Sequence, residues 1–403
     1  MIKFEHNLRH LRVLLSVVDT GSVTKASIAC NVSQPAVTQT LQKLERQFGT
    51  TLFERTNQGV FPNMLAQLLA ERVRRAFQLL DSAVEQISSR GPLTATTAKL
   101  RALIALADSE NLSIAARSLG IAQPTIHRAM TELESEVGRE LFRRTQYGST
   151  LTRAGQLLAN AAQLAFAELA QAEMELSESI GRGQFSITLG GMPLSRSYIL
   201  PKAIAIFHEH HPNVRIRVVE GPYETLLSGL RRGTIDFLLG ALRNPPPIDD
   251  IVQEHLFHDE LVIVSGPDHP LAKTAAPDLQ SVLRDYTWIL PLPDTPARRH
   301  FNAFAALHGV AELQCLVETG SMVLMRELLD NGPYLGCISR LQVEEEIAKG
   351  LLHPLPFQLA QSRRPIGITT RDRWKPTRTQ AALLDIIREI FSSSRDLREA
   401  RRA

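Results

Sequence analysis

Reactive and aromatic residues are scarce in this sequence. Its 403 residues include only three cysteines, two tryptophans and five tyrosines. Cys30, Cys315 and Cys337 form neither a disulfide framework nor a zinc-ligand spacing, so a reduced, cytoplasmic setting is expected. There is no Walker motif, no Gly-x-Ser-x-Gly elbow and no His-Glu-x-x-His pair. His208, His210 and His211 sit at a helix end and read as solvated side chains rather than metal ligands. An enzyme is therefore not expected, and neither is a metal or cofactor. No apolar run approaches the roughly 18 residues of a membrane span, and the charges at Lys3, Glu5, Arg9 and Arg12 argue against a signal peptide. Charge of one sign is also missing: 45 Lys and Arg face 42 Asp and Glu, a net +3, too mild to announce a nucleic-acid partner by itself. The hydrophobic fraction of 44% and charged fraction of 22% are those of an ordinary globular protein.

A long repeat stands out against this plain background. Gln34-Pro35 returns as Gln123-Pro124, Leu44-Glu45 as Leu133-Glu134, and Gly49 as Gly138. Leu52-Phe53 returns as Leu141-Phe142, Arg55-Thr56 as Arg144-Thr145, and Gly59 as Gly148. The same offset carries Gln67-Leu68-Leu69-Ala70 onto Gln156-Leu157-Leu158-Ala159 without a gap. Two copies are too few for a solenoid, so a tandem pair of small domains is the simpler architecture.

In the first copy, Leu11, Leu14, Leu15 and Val18 give a helix with one buried face. Ser22 caps a short second helix, Asn31 suits the tight turn, and Ser33 caps a third helix with Pro35 in its first turn. Val37, Leu41 and Leu44 point inward, leaving Gln34, Thr38, Gln39 and Lys43 outward. That polar set suits base-edge and phosphate contacts. Thr51 to Thr56 and the turn Asn57-Gln58-Gly59 read as a hairpin wing that aims Arg55 at the DNA backbone or minor groove. A long amphipathic helix follows to Ile87, and residues 88–92 read as a linker.

The second copy keeps the pattern with different letters. Asn111 stands for Ser22 and Gly120 for Asn31, while Ala122 loses the cap of Ser33. Gln123, Pro124, Thr125, His127 and Arg128 occupy the polar end, with Arg143 and Arg144 in the wing. From Gly155 a long Ala- and Leu-rich helix runs to Ile180. Its apolar stripe needs a partner helix, from a second subunit or from its own chain.

Ala26, Ser33-Gln34-Pro35-Ala36-Val37-Thr38, Leu44-Glu45, Gly49, Leu52-Phe53-Glu54-Arg55, and Leu151-Thr152 to Gly155 of the second copy resemble the N-terminal signature of LysR-type transcriptional regulators. The segment after Gly183 resembles that family's effector-binding domain. The resemblance implies a winged helix-turn-helix, a linker helix that dimerises, and a ligand-sensing domain like a periplasmic binding protein, working as a dimer or tetramer. The chain departs from the family in its extra N-terminal helix-turn-helix. The first copy also has Pro62-Asn63 where the second has Leu151-Thr152, and Ala66 where it has Gly155. Which copy reads DNA is left open.

Beyond Phe185 strands and helices alternate, and a parallel sheet covered by helices is expected. The full expectation is a mixed fold. Two all-α-rich winged helix-turn-helix domains (1–90 and 91–155) precede a linker helix (156–183). An α/β periplasmic-binding-protein-like effector domain (184–403) follows, of two Rossmann-like halves. The halves are expected at about 184–264 with 340–395, and 265–339, the chain crossing near Val264 and Ser339 and returning to the first half with a strand at Leu351–Pro356. Ligands in such sheets sit at strand C-termini beside helix N-termini. Met192, Leu194, Ser195, Gly221, Tyr223, Thr295, Thr319 and Ser321 lie in those loops. The hydroxyls suit a carboxylate, and Tyr223 or Trp288 an apolar or aromatic body, so the effector is expected to be a carboxylate or aromatic acid.

The function expected is ligand-responsive, sequence-specific regulation of transcription. The expected partners are double-stranded promoter DNA, further copies of the chain, a small-molecule effector and RNA polymerase. Two other classes stand beside this one: a small-molecule binding protein whose helix-turn-helix units hold protein partners, and an enzyme on the binding-protein fold. The outward Gln, Thr, Lys and Arg set argues against the first, because a protein-binding face is more apolar. The lack of a catalytic constellation argues against the second.

Overall fold

The computed structural model describes residues 7–56, 59–88, 91, 93–145, 148–181, 185–310, 316–359 and 362–400, with main chain alone at 144, 145, 148, 316 and 392–400. Asn57 and Gln58 of the expected turn, and the side chain of Arg144, lie outside the described residues. The chain divides into two compact units, Met1–Phe185 with Arg231–Thr234, and Ser186–Leu230 with Ile235–Ala403.

The first unit begins with α1 (Leu8–Thr20), α2 (Val23–Ala29), α3 (Gln34–Phe48), the hairpin β1 (Phe53–Thr56) and β2 (Gly59–Pro62), and α4 (Met64–Ile87). It then repeats itself as α5 (Thr97–Ser109), α6 (Leu112–Leu119), α7 (Gln123–Val137), β3 (Phe142–Thr145), β4 (Gly148–Leu151) and α8 (Arg153–Ser179). Local chemistry sets these boundaries. Ser22 accepts from the Lys25 amide, Ser33 from Ala36 and Asn111 from Ser113 and Ile114, while Ala122 makes no side-chain cap. Asn31 and Gly120 both take the left-handed conformation, with φ of 51° and 67°. Asn63 and Thr152 cap the two long helices in the same manner, each accepting the amide three residues on. The change from Leu-Thr to Pro-Asn therefore preserves the helix entry.

The buried apolar residues of the two copies form one continuous cluster from Leu8 to Leu176. Its middle is the packing of α4 along α8, both within this chain. A cluster of charged and polar groups is buried there. Arg72 donates to Glu168 (3.0 Å), to Gln171 (2.9 Å) and, through two nitrogens, to Glu175 (3.1 and 2.6 Å). Burial alone would lower its pKa, but the hydrogen bonds and charges of Glu175 and Glu168 outweigh that and raise it.

The second unit carries β5 (Phe185–Gly191), a π-helical turn at Ser195–Ile199, α9 (Leu200–His210), β6 (Val214–Val219), α10 (Tyr223–Arg231), β7 (Phe237–Ala241) and β8 (Ile251–Asp259). Next come β9 (Leu261–Ser265), a 3-10 turn at Pro270–Lys273, α11 (Leu279–Asp285), β10 (Thr287–Leu290), α12 (Pro296–Leu307), β11 (Leu316–Glu318) and α13 (Met322–Asn331). The chain ends with β12 (Tyr334–Ser339), α14 (Glu344–Ala348), β13 (His353–Pro354), β14 (Arg364–Arg371) and α15 (Arg378–Ala400). Two five-stranded sheets result, in the orders β6-β5-β7-β14-β8 and β11-β10-β12-β9-β13. Each has a parallel portion, β5 with β7 and β10 with both β11 and β12. Antiparallel strands complete them where the chain crosses over: β14 on β7 and β8, and β9 on β12 and β13.

This corrects the expected crossing points. β9 belongs to the second sheet, because it pairs with β12 from Leu261 to Ser265, so the first crossing falls between Asp259 and Leu261 and not near Val264. The strand expected at Leu351–Pro356 also stays in the second sheet, His353 and Pro354 pairing with Ser265 and Val264, so the return comes before Arg364 and not near Ser339. A buried ion pair marks the two crossings: Arg364 donates to Asp259 at 2.8 and 3.3 Å.

Candidate nucleic-acid interface and effector site

The third helix of each copy presents one apolar and one polar face. Val37, Leu41 and Leu44 of α3, and Ile126, Met130 and Leu133 of α7, are buried. Ser33, Gln34, Pro35, Gln39 and Lys43 are exposed and Thr38 is half-buried. In the second copy Gln123, Pro124, Thr125 and Arg128 are exposed, and His127 is half-buried. His127 packs its ring edge against Phe142 (centroids 5.8 Å apart), so it belongs partly to the wing's support. Gln123 accepts from the Ser113 hydroxyl (3.1 Å), a tether that holds its amide toward α6.

A carboxylate that the sequence reading passed over fixes each wing to its helix. Glu45 accepts the amides of Leu52 (2.9 Å) and Phe53 (3.2 Å). Glu134 repeats this on Leu141 (2.8 Å) and Phe142 (3.3 Å). The repeated Leu-Glu pair was the available signal. Arg55 projects from β1 beside a shallow depression lined by Val23, Thr38, Leu41, Thr56, Gly59 and Val60. Arg143 is exposed and paired with Glu140 (2.8 Å), a bond of little strength in water.

The two faces are not electrostatic equals. α3 carries Lys43 and Arg46 against Glu45. α7 carries Arg128 against Glu132, Glu134 and Glu136. Glu132 stands where the first copy has Lys43 and is bound by Lys99 (2.8 Å). A hydrogen bond from Lys99 and its charge hold the Glu132 carboxyl below the usual carboxylate range.

In the second unit the expected effector residues lie in or beside the loops that follow strands. The loop after β5 lies close on β7: the Met192 amide donates to Leu239 (3.1 Å), and a Cβ on Gly240 would meet the Met192 Cβ at 2.5 Å. Ser195 and Leu194 are buried, and the Ser195 hydroxyl is spent on the Met192 carbonyl (2.7 Å). Ser195 therefore holds the loop and does not offer its hydroxyl to a ligand, contrary to expectation. Gly221 is exposed at the start of the turn that leads into Tyr223. In the other half, Thr295 caps α12 and Ser321 caps α13, and the Ser321 amide donates to Thr319 (3.0 Å). Each capping oxygen accepts a helix amide; the Thr295 O–H is spent on the Leu292 carbonyl (2.8 Å), whereas Ser321 keeps its O–H as a donor. Trp288 is fully buried against Phe301 in the core of the second half and cannot meet an effector.

Three arginines missed in the sequence dominate this region. Arg298 ties the loop after β10 to the end of β11, donating to Pro291 (3.1 Å) and Glu318 (2.8 Å). Arg243, at the end of β7, lies with its guanidinium carbon 4.3 Å over the Tyr223 ring. Its Nη1 and the Tyr223 hydroxyl are buried with no hydrogen-bond partner among the described residues. Burial lowers the Arg243 pKa, Tyr223 counters this, and the charge of Arg299 on α12 lowers it further. Burial raises the Tyr223 phenol, against the pull of Arg243. The available signal was position alone, since Arg243 follows the end of β7.

Comparisons with known proteins agree on one family. The LysR substrate binding domain matches residues 181–392, and the bacterial regulatory helix-turn-helix protein, lysR family, matches twice, at residues 8–67 and 97–156. The HTH-type transcriptional regulator GalR of Pseudomonas putida is 32% identical over 389 residues, covering 96% of this chain and 98% of its own. The HTH-type transcriptional regulator PcaQ of Agrobacterium fabrum is 26% identical over 290 residues, covering 72% of this chain and 93% of its own. A full-length OxyR from Pseudomonas aeruginosa, solved as a cysteine variant, shares the fold, with a TM-score of 0.52 at 22% identity over 72% of this chain and 93% of that one. No helix among the described residues is long and apolar enough to cross a membrane. The chain belongs to the LysR family of transcriptional regulators, as a ligand-responsive DNA-binding regulator with two winged helix-turn-helix copies ahead of one effector-binding domain.

Proposed function

We propose that the effector is a small anion, a carboxylate on an apolar or aromatic body, held at Tyr223 and Arg243 and closed over from the other half by Thr319, Ser321 and Arg299. The observation that carries this is the buried Arg243 Nη1 without a hydrogen-bond partner beside an equally unpartnered Tyr223 hydroxyl. A buried cationic donor left unmatched is costly. The like charge of Arg299 adds to that cost, and an anion seated there relieves both. Met192 and Leu194 supply the apolar wall. Effector binding biases two arrangements of the halves and so changes DNA engagement.

On the DNA side, Gln34, Thr38, Gln39, Lys43 and Arg55 of the first copy and Thr125, Arg128 and Arg143 of the second contact promoter DNA. A thermal-shift titration of the full chain with benzoate, succinate and benzamide tests the effector class. At least one carboxylate is expected to raise the midpoint while benzamide does not, and Arg243→Gln is expected to weaken that response about tenfold or more. A response to benzamide alone, or a carboxylate response untouched by Arg243→Gln, would sink the anion reading.

A further inference from the structure

The helices that follow the two winged units are antiparallel. Arg72 meets Glu168, Gln171 and Glu175, whereas Arg75, farther along α4, meets Glu168 (3.4 Å). A step forward on α4 is a step back on α8. With element boundaries that recur at nearly one constant offset, α4 and α8 pair as the equivalent long helices of the two copies, inside a single chain.

The polar cluster in this seam has no second copy. At the repeat offset, the image of Arg72 is Ala161. The images of Glu168, Gln171 and Glu175 are Leu79, Ser82 and Gln86. A seam built from two α8 helices would set Ala161 opposite Glu168 and Glu175, stranding both carboxylates in each chain. A seam of two α4 helices would strand Arg72 against Leu79, Ser82 and Gln86. A buried pair adds little net stability, but removing one partner is strongly unfavourable. Polar groups in a helical seam select the partner in this way. Of these three pairings, only α4 with α8 matches Arg72 to its carboxylates.

The reading surfaces carried by this pair are unlike. Thr38, Gln39, Gln42 and Lys43 of the first copy correspond to His127, Arg128, Thr131 and Glu132 of the second. Gln pairs with adenine and Arg with guanine, so the two helices call for different half-sites.

We propose that one chain reads a two-part DNA site with unlike halves, its first winged helix-turn-helix taking the place of a second subunit, and that the Arg72 cluster confines this pairing to α4 with α8. The proposal rests on the DNA-binding reading given above.

Selection of the full-length protein on a pool of random duplexes tests it. Two different half-motifs at one fixed spacing are expected. Gln39→Ala should relax preference in one half about tenfold, and Arg128→Ala in the other by a similar factor. Co-expression of the two single variants should not restore binding to one isolated two-part duplex. An inverted repeat of one half-motif, both variants acting on the same half, or restored binding on co-expression would each overturn the single-chain reader. Enrichment of no motif would overturn the base-reading assignment itself, a different failure.

Discussion

Glu110 ends α5 in the left-handed conformation, with φ of 51°. Its counterpart Gly21 takes φ of 62° at the end of α1, with open space where a Cβ would stand. Backbone strain, not crowding, separates the two, and a non-glycine residue there costs about 1 kcal/mol. Glu110→Gly is therefore expected to stabilise the protein by about 1 kcal/mol, seen as a higher midpoint in helical circular dichroism. An unchanged or lower midpoint would show that Glu110 is not strained. Other single residues were only half legible. The paired Glu45 and Glu134 stood out in the repeat, but nothing in one dimension says that a carboxylate reaches amides seven and eight residues on. Gly155 was visible as a difference from Ala66, yet its reason is a close approach: a Cβ there would lie 2.0 Å from the Leu141 carbonyl oxygen. Ser195 had the right chemistry and loop, and burial then turned it inward.

Among the elements, the winged units were legible to within a residue or two. Their ends are written in local chemistry: Ser22, Ser33, Asn111 and Gly120 act on the few residues beside them. The partner of the linker helix was not legible, because an apolar stripe announces that something covers it without saying what. The missing clue was Arg72, a charge inside the stripe of Leu69, Val73 and Ala76. Arg72→Ala is expected to cost about 3–5 kcal/mol, since Glu175 loses its cation and Glu168 keeps only the longer pair with Arg75. The matched variant Arg72→Met with Glu168→Gln and Glu175→Gln should recover most of it. Chemical denaturation followed by helical circular dichroism measures both. Equal loss in the two variants would mean that packing volume, not charge matching, carries the effect.

Over the whole molecule, alternation of strands and helices gave the α/β class, while the sheet to which each crossing strand belongs depended on distant partners. β9 and β13 pair with each other across almost ninety residues of chain, a distance that periodicity does not see. The Asp259–Arg364 pair sits where those crossings meet, shut away from water. Asp259→Ala is expected to lower the stability of the effector-binding unit by about 3–5 kcal/mol, by stranding Arg364. Both tryptophans, Trp288 and Trp374, lie in that unit, so tryptophan fluorescence during urea unfolding reports it directly. A midpoint within error of the wild type would show that solvent reaches Arg364 and screens it. The seam between α4 and α8 has its own consequence at this scale. Two helices carried on one chain, with the second winged unit between them, find each other at an effective concentration set by that connection and not by the cell. Assembly of the paired readers is then independent of how much protein is made, and a substitution in one copy changes one half of the target and leaves the other as it was. A symmetric dimer must alter both halves of its site at once. Here the two halves of an operator are free to diverge separately, each following its own helix.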